Sequence, residues 1–259
     1  MPFQRILIPT DFSTAAEWVF DDAIRIAESG DAEIVILHVR RTRSSQPDEL
    51  RFPADASLYE YAEQQELERL RHHVRRANAS LRTRMVVRQA PVPGDEIARV
   101  AREIEADLIV IATHGSHHVA HLFVGSTTMA VLKDPPAPVL AIRYGIRKRT
   151  SLSRVVVPVH SGQTSHRALD LARRKAKEIH LLTVCPEEDR ATAEAMLRSL
   201  AAGVPGARTA IVHGKDPEQE IVRYASKVDA DAIFLNSAAD PSERKLDIVR
   251  HATIPVMVV

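Results

Sequence analysis

Cysteine is nearly absent: Cys185 is the only one in 259 residues. A single thiol excludes an internal disulfide framework and any multi-cysteine metal site. In the run IHLLTVC it reads as a small buried hydrophobe in a strand. An excess of one charge is lacking too. The 35 basic and 34 acidic residues leave a net charge of +1, which gives no electrostatic reason to expect nucleic acid or an anionic membrane as partner. No apolar stretch approaches the roughly 20 residues that span a bilayer, and MPFQRILIPTDFS has none of the features of a secretory leader. The expected location is the cytoplasm. Three catalytic signatures are missing as well: Gly-x-Ser-x-Gly, Gly-x4-Gly-Lys-(Ser/Thr), and Gly-x-Gly-x-x-Gly after the first strand. Phosphoryl transfer relies on fixed positive charge and a metal around the γ-phosphate. The missing lysine therefore argues against fast phosphoryl transfer.

What is present alternates. RILIPTD (5–11) and EIVILHV (33–39) are short β-branched runs separated by a helical stretch, a βαβ unit. That helix has Ser13 as N-cap, Trp18, Ala23, Ile26 and Ala27 on one face, and an end at Gly30. A long polar helix over about 58–81 leads to RMVVRQA; PGDEIARVAREIEA reads as helix and DLIVIAT as a buried parallel strand. A glycine-containing loop, a helix near 127–132 and APVLAIR complete five strands. The order then recurs, shorter: RVVVPVH, a helix over 164–177, IHLLTVC, a helix over 191–200, RTAIVHG, a helix over 218–227, DAIFLNS and IPVMVV. Pro9 matches Pro158, Asp107 matches Asp231, and Pro138-Val139 matches Pro255-Val256, so the offset shrinks from 149 to 124 to 117. Two tandem doubly wound five-stranded parallel-sheet domains of Rossmann-like type follow, over 1–146 and 152–259, joined by the polar stretch Tyr144 to Ser153. Ligands on such sheets bind beyond the carboxyl ends of the strands at the switch in strand order. This puts Asp11, Val39 and the segment after Ala112 on one rim.

That segment reads ATHGSHHVAHLFVGSTTMAVL, with nine residues between Gly115 and Gly125 and then Ser126, Thr127 and Thr128. A glycine that admits close backbone approach, followed by hydroxyls at a helix start, suits a phosphate chain, because first-turn N–H groups lack intrahelical acceptors and the dipole is positive there. The plainer reading is a turn at Gly115, a loop end at Gly125 and a capping Ser126. Asp21 and Asp22 are adjacent on a helix, so they diverge, and His72-His73 lies in a charged helix; both pairs read as solvated faces. His114, His117, His118 and His121 crowd the loop. In a helix, His117 and His121 would share a face at zinc-ligand spacing with His114 as a third ligand, though the Glu of an HExxH motif is absent; solvated loop histidines are the other reading.

On these residues the chain resembles the universal stress protein family, of the tandem type. The family's ATP-binding pattern Gly-x-x-Gly-x9-Gly-(Ser/Thr) is met at Gly115, Gly125 and Ser126, with Ala112 where the first glycine belongs; RILIPTDFS, LHV, THG and APVLAI stand in their expected places. The resemblance implies an adenine-nucleotide alpha hydrolase-like fold that binds ATP, with Mg as its companion ion, through Pro9, Thr10, Asp11, Val39, Ala112, Thr113, His114, Gly115, Gly125, Ser126 and Thr127. By the same resemblance Asp11 meets adenosine, the Val39 backbone meets adenine, and Gly115, Gly125, Ser126 and Thr127 hold phosphates. The Ala112 methyl is expected to crowd the ligand.

In the second copy His160 replaces the aspartate, and NSAADPSERKLD lacks the glycines and their spacing. That copy is expected to be structural, completing within one chain a dimer-like pairing through APVLAI and IPVMVV; further pairing of whole chains stays open. Three functions remain: an ATP-responsive stress module read by a regulatory protein partner, a slow ATPase or nucleotidyl transferase, and a zinc-binding stress protein with a silent nucleotide site.

Overall fold

The computed structural model describes residues 2–28, 31–42, 53–113, 124–145, 152–160, 166–237 and 242–259. Ten strands form one sheet. In chain order they are β1 (Arg5–Thr10), β2 (Glu33–Arg41), β3 (Thr83–Ala90), β4 (Leu108–Ala112), β5 (Val139–Ile142), β6 (Arg154–Pro158), β7 (Glu178–Val184), β8 (Arg208–Val212), β9 (Ala232–Leu235) and β10 (Val256–Val258). The strand order is β3-β2-β1-β4-β5-β10-β9-β6-β7-β8. Each half is parallel with the same internal order. The halves meet where β10 runs antiparallel to β5, pairing Val256 with Ala141, Met257 with Leu140 and Val258 with Val139. The two parallel sheets expected from the sequence are thus one mixed sheet, joined through the two segments expected to pair.

The described helices are α1 (Thr14–Trp18), α2 (Phe20–Glu28), α3 (Pro53–Ala77), α4 (Pro93–Glu103), α5 (Ser126–Lys133), α6 (Arg167–Lys175), α7 (Arg190–Ala202), α8 (Pro217–Lys227) and α9 (Ser242–His251). α2, α3, α6 and α7 bury residues in a cluster on one face of the sheet, and α4, α5, α8 and α9 in a cluster on the other. Both clusters run across the seam, so the two halves share each core. Strands buried on both faces explain the unbroken runs ILI, IVIL and VVV. No described helix is long and apolar enough to cross a membrane.

The two halves repeat much of their wiring. At the amino ends of the strands, the Asp107 carboxylate accepts the backbone N–H groups of Gln4 at 2.7 Å and Arg5 at 2.9 Å. Asp231 accepts those of Ser153 at 2.8 Å and Arg154 at 2.9 Å. Arg5 Nε donates to Glu33, and Arg154 Nε to Glu178, each at 2.9 Å. The turns into β4 and β9 place Glu105 and Asp229 in the left-handed region, at φ 52° and 53°. At the carboxyl ends, Thr113 N–H donates to Ile142 O and Ser237 N–H to Val259 O.

Several local expectations need correction. The first helix breaks at Val19, and its buried face is Val19, Phe20, Ala23, Ile24 and Ala27, with Trp18 and Ile26 half-buried; Gly30 lies outside the described residues. The long helix spans Pro53–Ala77, not 58–81, because Asn78 turns the chain by accepting the Ser80 N–H. Helix α9 was not anticipated, since SERKLDIVRH buries a narrow apolar stripe among charges. Asp22 is not solvated: it is 3% exposed, with Arg25 Nη1 at 3.8 Å. Nor is the histidine pair free, as His73 Nε2 meets Asp21 at 2.9 Å. Cys185 lies one residue past β7 and is half-buried, its thiol pKa pushed up by burial.

Two predictions follow from this wiring. Replacing Asp107 or Asp231 by Ala strands two backbone donors, so each variant should lose about 1–3 kcal/mol in urea denaturation, and Asn, which keeps an acceptor oxygen, should lose less. Gly94, at the start of α4, admits no Cβ: it would lie 2.4 Å from Ala130 Cβ and 2.9 Å from Thr127 O on α5. Gly94→Ala should therefore cost about 1–3 kcal/mol as α4 and α5 spread, and Ala130→Gly in the same chain should recover much of the loss.

Candidate functional site

The strand order reverses between β1 and β4, which pair in parallel with Ile6 beside Leu108 and Leu7 beside Ile109. Continuing that register sets Thr10 beside Ala112 at the carboxyl edge, the crevice where open α/β sheets take ligands. The sequence-derived residues Pro9, Thr10, Asp11, Ala112 and Thr113 gather here. Pro9, Thr10, Ala112 and Thr113 are buried and Asp11 is exposed.

The turn after β1 is held by its own side chains. Thr10 Oγ1 accepts Phe12 N–H, and Asp11 Oδ1 accepts Ser13 N–H, both at 3.0 Å. Ser13 Oγ then caps α1 by accepting Ala16 N–H at 3.1 Å, as the sequence predicted. Phe12 pays for this tight turn with φ 60°, a region that L residues other than Asn and Asp seldom enter. Its ring stacks on His38 with centroids 4.4 Å apart. His38 Nδ1 donates to Thr10 O at 2.9 Å, and Nε2 lies 3.6 Å from Glu63. Glu63 in turn receives Arg40 Nε at 2.6 Å and Nη2 at 2.9 Å, which raises the Arg40 pKa. The same carbonyl is held in the other half, where Thr183 Oγ1 donates to Val159 O at 2.9 Å. His38 is thus the aromatic version of a common brace.

Val39 is the first residue of β2 beyond the last pair with β1, Thr10 with His38. Glu33 N–H bonds toward β1 and Ile34 N–H toward β3, so by alternation the backbone of Val39 faces the β1 side. Its amide and carbonyl therefore overhang the crevice from the second strand.

The opposite wall is the start of α5. Gly125 is its N-cap residue and supplies no side-chain cap, Ser126 is exposed and Thr127 half-buried. Ser126 is accordingly the first helical residue rather than the cap expected in the plainer reading. Two bonds hang this helix start on the end of β4: Gly125 N–H donates to Thr113 O at 2.7 Å, and the buried Thr128 hydroxyl to Ala112 O at 2.8 Å. Nothing in the described fold demands glycine at 125. Its φ is −60°, and an added Cβ would meet only Thr113 O at 3.5 Å, an ordinary contact. The Ala112 methyl, expected to crowd the rim, is 6% exposed within the core cluster that holds Ile8, Val19 and Phe20.

His114, Gly115, His117, His118 and His121 lie outside the described residues. Among the described residues no group of three or more His, Cys, Asp or Glu side chains is placed to hold a metal ion.

The second half treats the same positions differently. Asn236 stands where Ala112 stands and is 2% exposed; its side-chain oxygen accepts the N–H of Ala168 in the first turn of α6 at 2.9 Å. Lys245, also 2% exposed, takes the place of Thr128, and its ammonium donates to Ser237 Oγ at 3.1 Å. Here the chain's own polar groups occupy the crevice between β6 and β9.

Sequence reasoning missed His38, Phe12, Glu63 and Arg40. Thr128 is one of the three hydroxyls read at the helix start, but its hydroxyl holds the end of β4 rather than facing a ligand. Glu63 and Arg40 carried no signal, because only the fold brings α3 over the end of β2.

The model of the universal stress protein family matches residues 2–143. A curated Staphylococcus epidermidis relative named for that family is 30% identical over 147 residues, covering 54% of this chain and 84% of its own. A Staphylococcus aureus relative is 31% identical over 151 residues, covering 54% and 84%. The crystal structure of a universal stress protein from Archaeoglobus fulgidus superposes with a TM-score of 0.76 at 20% identity, covering 99% of this chain and 97% of that one; a Pseudomonas aeruginosa structure named for the family gives 0.60 at 16%, covering 99% and 93%. Strand order, crevice and family model agree, and the chain belongs to the universal stress protein family.

Proposed function

We propose that the chain binds an adenine nucleotide, ATP, in the crevice of its first half and acts as a stress-response module whose ligand state is read by a protein partner. One observation carries this reading: α5 opens on the rim at the strand-order switch with a glycine that the described fold does not need and with no side-chain cap on its first-turn amides. Such a helix start offers N–H donors and a positive dipole end to an anion. In the proposed complex those amides, with Ser126 and Thr127, receive the phosphates. The Val39 backbone faces adenine, and Asp11, fixed by Ser13 N–H, faces the ribose hydroxyls; Pro9, Thr10, Ala112 and Thr113 form the floor. His114 and Gly115 are proposed as further phosphate ligands, with Mg bound through the nucleotide. The second half, with Asn236 and Lys245 in its crevice, is proposed to be a duplicated domain kept for support, over 152–259 against 1–146.

The proposed output is binding: the described groups beside the proposed phosphates are the first-turn amides of α5 and the hydroxyls of Ser126 and Thr127. Ligation at about 100–1,000 times Kd would add roughly 2.7–4.1 kcal/mol to the bound state, enough to favour one conformation for a partner.

Purified protein should release ATP or ADP near one per chain on denaturation, or show a raised Tm with added Mg·ATP. Gly125→Glu, which sets a carboxylate at the helix start, should abolish both while leaving the Tm without nucleotide close to that of the parent. Gly125→Ala should bind more weakly but measurably, since its Cβ fits the fold. A parent protein that carries no nucleotide and whose Tm ignores Mg·ATP would overturn the proposal. A zinc-induced rise in Tm in that same protein would favour the histidine-rich segment as the functional site.

A further inference from the structure

Among the described residues four that are not glycine have positive φ: Phe12, Asp31, Glu105 and Asp229. Three are acidic; Phe12 alone is hydrophobic and bulky, in a conformation that Asn, Asp and Gly enter far more readily. The conformation is used where it occurs. It turns the chain back on itself so that Thr10 Oγ1 accepts Phe12 N–H and Asp11 Oδ1 accepts Ser13 N–H, both at 3.0 Å. A carboxylate that accepts an amide two residues ahead is held in one orientation, and Asp11 is so held at the exposed rim of the crevice.

The ring that faces Phe12 keeps the turn in this state. The His38 imidazole stacks on the phenyl ring with centroids 4.4 Å apart and planes inclined by 26°, and its Nδ1 donates to Thr10 O at 2.9 Å. One side chain thus grips the turn on both sides of Asp11. The imidazole is itself confined: its Nε2 lies 3.6 Å from Glu63, whose carboxylate receives Arg40 Nε and Nη2. In the second half the register puts Thr183 in the place of His38, where it makes the carbonyl bond alone, and His160 in the place of Asp11. The half that lacks the carboxylate also lacks the imidazole.

We infer that His38 and Phe12 set the sugar selectivity of the nucleotide site: by holding the left-handed turn they keep the Asp11 carboxylate where it accepts a ribose hydroxyl. This role presupposes that the crevice takes ATP, as proposed above. His38 is a positioning residue, acting through Phe12 and Asp11 without touching the ligand. A carboxylate fixed before the ligand arrives accepts the hydroxyl with little further loss of freedom and disfavours a sugar that lacks it; one that wanders must be ordered on binding, and the preference fades.

Isothermal titration calorimetry with Mg·ATP, Mg·2′-deoxy-ATP and Mg·3′-deoxy-ATP reads the selectivity. In the parent at least one deoxy analogue should bind about tenfold more weakly than ATP, the factor expected for a lost hydrogen bond to a charged group. His38→Thr, which copies Thr183 and keeps a donor for the Thr10 carbonyl, should still bind ATP but lose most of that gap, as should Asp11→Ala. The decisive variant is His38→Thr/Phe12→Asn. Asparagine takes up the left-handed conformation without a ring partner, so the gap should return; a role for His38 confined to packing β2 against α3 would not be restored by a change in the turn. In ligand-free protein the Ser13 amide should exchange with solvent faster in His38→Thr than in the parent and slow again in the double variant. The inference is overturned, with nucleotide binding left standing, by a parent that binds ATP and both analogues alike, by a gap or a Ser13 exchange rate that His38→Thr leaves unchanged, or by a double variant that does not regain the gap. A parent that binds none of the three nucleotides overturns both.

Discussion

Three residue pairs between β5 and β10 hold the architecture together. A parallel five-stranded half ends on a strand whose outer N–H and C=O groups are unpaired, and such an edge must be covered or joined. Here each half supplies the edge the other needs. Because β5 and β10 are buried strands rich in Val, Ile and Leu, joining them also carries the two hydrophobic layers through the seam without a break. The halves therefore cannot be judged as separate bodies: Val139 and Val258, paired across the seam, lie in the same cluster with α5 and α9 on top of them.

The same seam fixes where the crevices can be. Each half runs its strands outward from the seam in the order last, fourth, first, second, third, so each has one reversal of strand order and one crevice at the carboxyl edge. The halves differ in what fills it. In the first half the polar atoms near the rim bind backbone groups that shape the turn and leave the start of α5 capped by glycine alone. In the second, Asn236 satisfies a first-turn amide of α6 and Lys245 adds a buried ammonium. A polar group taken from water must find partners inside the protein. In the second half that demand is met within the chain, Asn236 through Ala168 N–H and Lys245 through the Ser237 hydroxyl.

The pattern of alternating runs was enough to read the strands, because buried parallel strands and short connections leave a strong periodic signal. Boundaries and faces were less legible. Trp18 looked like a core residue of one long helix, but the break at Val19 turns the following helix so that Phe20 and Ile24 go inside and Trp18 remains half-buried. Asp21 and Asp22 diverge by about 100° on the helix, which argues against a paired site, but the same divergence sends Asp22 inward and leaves only Asp21 at the surface, toward His73. The helix α9 was hidden because four of its ten residues are Lys, Arg or His and only two buried hydrophobes mark its stripe. Of the crevice, the backbone elements were visible as motifs, whereas the brace of His38 depends on a register between β1 and β2 that no local pattern states.

That brace ties the turn after β1 to the helix outside it. In both halves a side chain from the second strand holds the last carbonyl of the first, by Thr183 in one and His38 in the other. A threonine suffices for the bond. The imidazole does more: it stacks on Phe12, which occupies a left-handed backbone conformation, and approaches Glu63 of α3. Left-handed φ in a bulky residue is strained by about 1–2 kcal/mol, so the ring contact compensates a turn that the threonine version does not stabilise in this way. The turn so held is the one that presents Asp11. Through His38, Glu63 and Arg40, the geometry of that carboxylate is tied to the start of α3, the helix whose outer face is exposed. Crevice and outer helix are therefore linked by one short chain of polar and aromatic contacts, and a rearrangement of the turn after β1 has a direct route to the surface.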